Sequence, residues 1–108
     1  MRAGTLRHRV VIQEKVVTRN DYNEEVITWD EVATVWASVE DLSGREFLEG
    51  RREGAELTTR IRIRYRSGLH AAMRVTWDGR TFDIEGIADP TGRKRELVVM
   101  CRELEAYG

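Results

Sequence analysis

Apolar and polar side chains alternate along most of this chain, which is the signature of strands that bury one face. From Leu6, the residues Leu6, His8, Val10 and Ile12 fall on one side and Arg7, Arg9, Val11 and Gln13 on the other. The stretch Thr18-Arg19-Asn20-Asp21-Tyr22-Asn23 collects residues that bond their own backbone and tolerate left-handed conformations, so it predicts a loop or hairpin tip. A second strand region runs from Glu25 to Trp29 and resumes at Val32, with Val35, Ala37 and Val39 on one face and Trp36 on the other.

The clearest strand is Leu57 to Arg66, where Leu57, Thr59, Ile61, Ile63 and Tyr65 alternate with Thr58 and four arginines, Arg60, Arg62, Arg64 and Arg66. Arg74 to Trp77 and Arg80 to Ile87 flank Asp78-Gly79, a pair suited to the type I′ turn of a tight hairpin. Asp89-Pro90-Thr91-Gly92 has the residues a type I turn prefers, and it leads into a last strand, Glu96 to Glu103. The run Leu97 to Cys101 is apolar on both faces. That strand is therefore either central and covered on both sides or partly buried by another subunit.

The alternation breaks after Leu42. Ser43-Gly44-Arg45-Glu46 fits a capping box, and Leu42 with Phe47 forms a hydrophobic staple. These signals predict a short helix to about Glu53, ended by Gly54. It would be weak, because Gly50 costs about 1 kcal/mol relative to alanine and only Phe47 and Leu48 offer large apolar surface. A capped helix with so little to bury suits an element that orders on assembly. The fold expected is mainly β: a small antiparallel barrel or sandwich of five to six strands, with one short helix between strands, in a single domain spanning residues 1–108.

Composition narrows the function. With 34% charged and 41% hydrophobic residues and a single proline, the chain has the make-up of a globular domain. A net charge of −1 gives no bulk positive field, so any nucleic-acid contact must be local. No apolar run approaches the ~20 residues of a membrane span, and no leader pattern opens the chain, so a soluble, unexported protein is expected. Cys101, the lone cysteine, lies in the apolar run and reads as a small buried hydrophobe.

Candidate chemistry is sparse. His8 and His70 stand far apart with no metal-ligand spacing, and no serine sits in a nucleophile elbow. Gly50-Arg51-Arg52-Glu53-Gly54 lacks the length and the lysine of a phosphate cradle. No catalytic, metal or cofactor site is expected. Asp83 and Glu85 share one strand face about 7 Å apart, and the preferred reading gives them to the arginine row as cross-strand partners. The row itself admits three uses: a solvated or internally paired face, a protein interface, or a track for phosphates. Base stacking is disfavoured, since only Tyr65 lies nearby and on the opposite side.

In succession, several segments resemble the head closure proteins of long-tailed bacteriophages, also called head-tail joining or stopper proteins. They are Gly4-Thr5-Leu6-Arg7-His8-Arg9-Val10-Val11-Ile12-Gln13, Trp36-Ala37-Ser38-Val39, Ser43-Gly44-Arg45-Glu46, Arg60-Ile61-Arg62-Ile63-Arg64-Tyr65 and Arg74-Val75-Thr76-Trp77-Asp78-Gly79-Arg80-Thr81-Phe82, with Ile87-Ala88-Asp89-Pro90 and Gly92-Arg93-Lys94-Arg95-Glu96-Leu97 closing the chain. Prophages and gene transfer agents carry similar proteins. The resemblance implies a β-barrel subunit with no catalytic residues, assembled in the host cytoplasm into a ring in the virion neck, expected as a hexamer. Its implied partners are its own copies, the portal and adaptor proteins, a tail terminator or tail tube protein, and channel DNA held without sequence specificity. The resemblance implies no membrane partner.

Phe47, Leu48, Arg51, Arg60, Arg62 and Arg64 are the expected assembly residues. A channel-closing loop is implied, and two segments qualify by composition: Thr18 to Glu24, with Arg19, Asn20, Asp21, Tyr22 and Asn23, and Leu42 to Leu57. The competing class is an OB-like nucleic-acid-binding module. Another ring of the same neck, an adaptor or a tail terminator, is a closer competitor, though adaptors of this kind tend to be helical.

Overall fold

A computed structural model describes residues 6–42 and 57–104. Six strands form in chain order: β1 (His8–Arg19), β2 (Glu25–Asp41), β3 (Thr59–Arg64), β4 (Arg74–Trp77), β5 (Arg80–Ala88) and β6 (Glu96–Leu104). All pairings are antiparallel, in the order β1-β2-β3-β6-β5-β4, and β4 returns to β1 through Val11↔Thr76, Ile12↔Val75 and Gln13↔Arg74. The sheet is thus a closed barrel, the solution that removes unpaired strand edges. Of the two architectures expected, barrel and sandwich, the closed pairing selects the first. The expected helix from Ser43 to Glu53 lies outside the described residues.

The core follows the alternation strand by strand. Val10 and Ile12 come from β1, Ala37 from β2, Ile61 and Ile63 from β3, Val75 from β4, Phe82 and Ile84 from β5, and Leu97, Val99 and Cys101 from β6. Each set is spaced by two, because only every second side chain points into the barrel. β6 pairs with β3 on one side and β5 on the other, as every strand of the closed barrel has two partners. Its outward residues Val98 and Met100 are half-buried, and in the register they face Arg62 and Arg60 of β3.

The turns obey their local chemistry. Asp78 and Gly79 both take positive φ, 51° and 76°, as a type I′ turn demands. The amide of Gly92 donates to the carbonyl of Asp89 at 3.2 Å, closing the expected four-residue turn, and the Asp89 carboxylate accepts from the amides of Gly92 and Lys94.

Two features depart from the sequence expectation. β2 is continuous over 17 residues, where two pieces were expected. The register steps from Ile12↔Ala33 to Gln13↔Glu31, so Val32 is an extra residue in a β-bulge, and the bulge is what broke the alternation in the sequence. The pairing of β1 with β2 also continues to Arg19↔Glu25, well beyond the barrel. β4 pairs β1 only as far as Gln13, and β3 pairs β2 only from Ala37. Residues 14–19 and 25–30 therefore form a two-stranded arm about 20 Å long at the strand rise, which accounts for the elongated 49 × 28 × 27 Å envelope.

Candidate interaction site

The arm begins at a brace. Arg74 of β4 lies 4.1 Å from the centroid of the Trp29 ring, and its Nε donates to Oε1 of Gln13 at 2.6 Å. Partial burial pulls the pKa of Arg74 down, and the neighbouring Asp83 carboxylate works in the opposite direction. Beyond the brace the arm is largely in solvent. Val17 and Ile27 face each other across the strands and are 50% and 51% exposed.

At the tip, Asn20 organises the turn. Its Oδ1 accepts from the amides of Tyr22 and Glu24 at 2.9 and 3.0 Å, and its Nδ2 donates to the Glu24 carboxylate at 3.2 Å. Asn23 supplies the positive φ, 61°, and its carbonyl accepts from Nη1 of Arg19 at 2.8 Å. This Asx-type network holds Tyr22 outward, 85% exposed. Arg19, Asn20, Asp21, Tyr22 and Asn23 are thus brought together at the end of a projecting hairpin.

The arginine row points outward from β3, as the alternation requires. Arg60 pairs with Glu40 at 2.9 Å and Arg62 with Glu96 at 3.8 Å, while Arg64 is exposed with no acidic partner among the described residues. The expected pairing of this row with Asp83 and Glu85 does not occur. Those carboxylates hold Arg102 of β6, at 3.0 and 3.3 Å, because β6 intervenes between β5 and β3 and keeps them out of reach of the row. Phe47, Leu48 and Arg51 lie outside the described residues.

A shallow groove of about 300 Å³ opens where β3 ends beside the free edge of β2, lined by Val35, Trp36, Arg64, Tyr65 and Arg66. Trp36 is 55% exposed and Tyr65 37%. The Nε of Arg66 is buried and has no hydrogen-bond partner among the described residues. Sequence reasoning placed Trp36 on the outward face but did not join it to Tyr65 and Arg66, because they meet only when β2 and β3 pair. An outward tryptophan on a strand was the available signal.

The remaining chemistry is structural. Burial pushes the Cys101 thiol up to about 12, with the Asp83 and Glu85 charges adding to the effect, so the sulfur stays protonated. His8 packs on Trp77 with ring centroids 4.6 Å apart, and His70 lies 4.0 Å from Glu14. Among the described residues no three His, Cys, Asp or Glu side chains gather where they could hold a metal ion.

Comparison with known proteins adds the context for these surfaces. The family model described as "phage head completion protein" matches residues 1–104. The head completion protein gp7 of Enterobacteria phage HK97 is 33% identical over 105 residues, covering 91% of this chain and 94% of that protein. The solution structure of protein SF1141 from Shigella flexneri 2a superimposes with a TM-score of 0.76 at 35% identity, covering 95% of this chain and 96% of that one. A chain of the virion of a native gene transfer agent particle shares the fold, with a TM-score of 0.66 at 22% identity over 94% of this chain and 97% of its own.

Proposed function

The chain belongs to the phage head completion protein family, and on that premise we propose that it is a structural component of the virion neck that works by assembly. Copies form a ring, expected as a hexamer, between the portal and adaptor complex of the filled head and the tail. The ring closes the channel on packaged DNA and presents a docking surface to a tail terminator or tail tube protein. DNA contact is to the backbone and without sequence preference. Closure falls to one of the two candidate segments, Thr18 to Glu24 or Leu42 to Leu57. The subunit assembles in the host cytoplasm and performs no reaction.

The observation that carries this reading is the family match over residues 1–104, which takes in the barrel and the arm alike. A sealed barrel with a projecting hairpin is a subunit that keeps its own core dry and still offers surface to neighbours. The OB-like alternative has less support. Arg60 and Arg62 are engaged by carboxylates, which leaves no continuous cationic track along the row.

Complementation tests the proposal. Deleting the gene from the phage or prophage that encodes it is expected to leave packaged heads without tails, and supplying the protein in trans is expected to restore tailed, infectious particles. Normal yields of tailed particles without the protein would refute the neck role.

A further inference from the structure

We infer that the acidic tip of the arm docks in the aromatic and cationic groove of a second copy of this chain, Tyr22 entering between Trp36 and Tyr65 and Asp21 meeting Arg64 and Arg66. The inference rests on the assembly reading above and deepens it by naming the two surfaces that meet.

Charge is the first argument. The arm, residues 14–30, carries Glu14, Asp21, Glu24, Glu25 and Asp30 against Lys15 and Arg19, a net of −3 on a chain whose total is −1. The rest of the molecule is correspondingly cationic, at +2. The groove concentrates that excess: Arg64 and Arg66 line it without an acidic partner among the described residues. Its neighbour Arg95, whose carbonyl accepts from the amide of Tyr65 at 3.0 Å, has none either. Charged surfaces of opposite sign on one subunit attract between copies and repel when like patches meet, so they select a head-to-tail contact.

Residue type is the second. Tyr, Trp and Arg dominate the energetics of protein contacts, and here they sit on both halves in complementary form. Tyr22 is the most exposed large hydrophobic residue of the described chain. The groove offers two half-open aromatic rings and a guanidinium whose buried Nε lacks an acceptor among the described residues. The third argument is preorganisation. Asn20 fixes the tip through two accepted amides and one donated bond, so little conformational freedom is lost on docking. An arm of about 20 Å is comparable to the 27–28 Å width of the barrel, so it spans most of the distance to an adjacent subunit. Its own groove lies at the base of the same hairpin, beyond reach of the tip, so the occupant is a different copy.

Charge exchange on the full chain tests the contact. Asp21→Arg and Arg64→Glu alter exposed side chains and are expected to leave the melting temperature unchanged. By sedimentation velocity each variant alone is expected to associate at least tenfold more weakly than the parent. An equimolar mixture, and the chain carrying both changes, are expected to recover association, since residue 21 of an arm then again meets an opposite charge at residue 64 of the other copy. In parallel, Tyr22→Cys combined with Trp36→Cys is expected to give a ladder of disulfide-linked copies under oxidation, with buried Cys101 silent.

Reversed variants that associate like the parent, or a mixture that fails to recover, overturn the contact. So does a parent chain that stays monomeric with no ladder; if that chain still restores tailed particles, the neck role stands and only the contact falls. Association with the expected charge dependence but no rescue of particles strikes the neck role and leaves the contact. Loss of rescue by Asp21→Arg with undiminished copy-to-copy association assigns the tip to another virion protein and overturns the inference.

Discussion

Replacing Arg80 by methionine is expected to cost the barrel about 2 kcal/mol of unfolding free energy. Arg80 opens β5 and ties three strands together. Its Nε and Nη2 donate to the two oxygens of Glu103 on β6 at 3.0 and 2.7 Å, and Nη2 also donates to Asp41 at the end of β2 at 2.8 Å. These bonds, Glu103 foremost and then Asp41, push its pKa above the ordinary arginine value. The guanidinium lies over Phe82 and Trp77, 5.1 and 5.6 Å from the ring centroids.

Exposure apportions the energy. The Arg80 and Glu103 side chains are 29% and 34% exposed, so their two-pronged, charge-assisted grip is partly sheltered and is assigned about 1–2 kcal/mol. Asp41 is 63% exposed, and its limb is assigned a few tenths of a kcal/mol. Methionine keeps most of the apolar stem over the rings and loses every donor, while lysine keeps the charge and loses the fork, so Arg80→Lys is expected midway.

Urea unfolding with an unchanged m-value is the assay, and the expected loss corresponds to a fall in melting temperature of about 10 °C. Double-mutant cycles sharpen it: coupling of Arg80→Met with Glu103→Gln near 1 kcal/mol or more, and with Asp41→Asn below about 0.5 kcal/mol. The assignment fails if Arg80→Met is within about 0.5 kcal/mol of the parent, or if Asp41 couples more strongly than Glu103.

Four further outcomes are expected. Phe82→Ala removes the largest fully buried side chain and is expected to cost about 3–5 kcal/mol by urea unfolding, enough to leave much of a marginally stable domain unfolded. Cys101 is expected to resist a thiol reagent at pH 8 in the native protein and to react at once in urea. Its pKa is raised from 9.0 to about 12 on folding, so the stability it protects is complete below pH 9 and declines as pH climbs toward 12, by up to about 1.4 kcal/mol per pH unit, which alkaline unfolding measures. Gly79→Ala puts a Cβ on a residue at φ 76° and is expected to lower stability by about 1 kcal/mol in thermal melts, although no atom of the described residues lies within 4 Å of that Cβ.

The barrel was legible in the sequence because burial imposes a code. Where one face of a strand is dry and the other wet, apolar residues recur every second position, and Val10/Ile12, Ile61/Ile63 and Leu97/Val99/Cys101 each declared their inward face. The two positive-φ positions at Asp78-Gly79 fixed a hairpin in the same local way. Ion pairing was not legible. Asp83 and Glu85 match the arginine row in charge and spacing, and nothing local says that β6 will lie between them. Strand order is a property of the closed sheet, and partners two strands away cannot be read from one strand's pattern.

The arm escaped for the opposite reason. Beyond the brace at Trp29 neither face is covered by the barrel, so the requirement for alternation lapses: Val16 and Val17 are adjacent, as are Val26 and Ile27, and they place apolar side chains on both faces of the hairpin. A two-stranded ribbon is marginal in water by itself, and this one is secured to the body through the brace of Arg74 on Trp29 and Gln13. Its polar tip alone signalled a turn. An element that costs ordering, exposes Val17, Ile27 and Tyr22, and contributes nothing to the core lowers the free energy of the isolated subunit little, if at all. Its apolar surface is released from water only when something else covers it, so the energetic return on building the arm belongs to the assembled state.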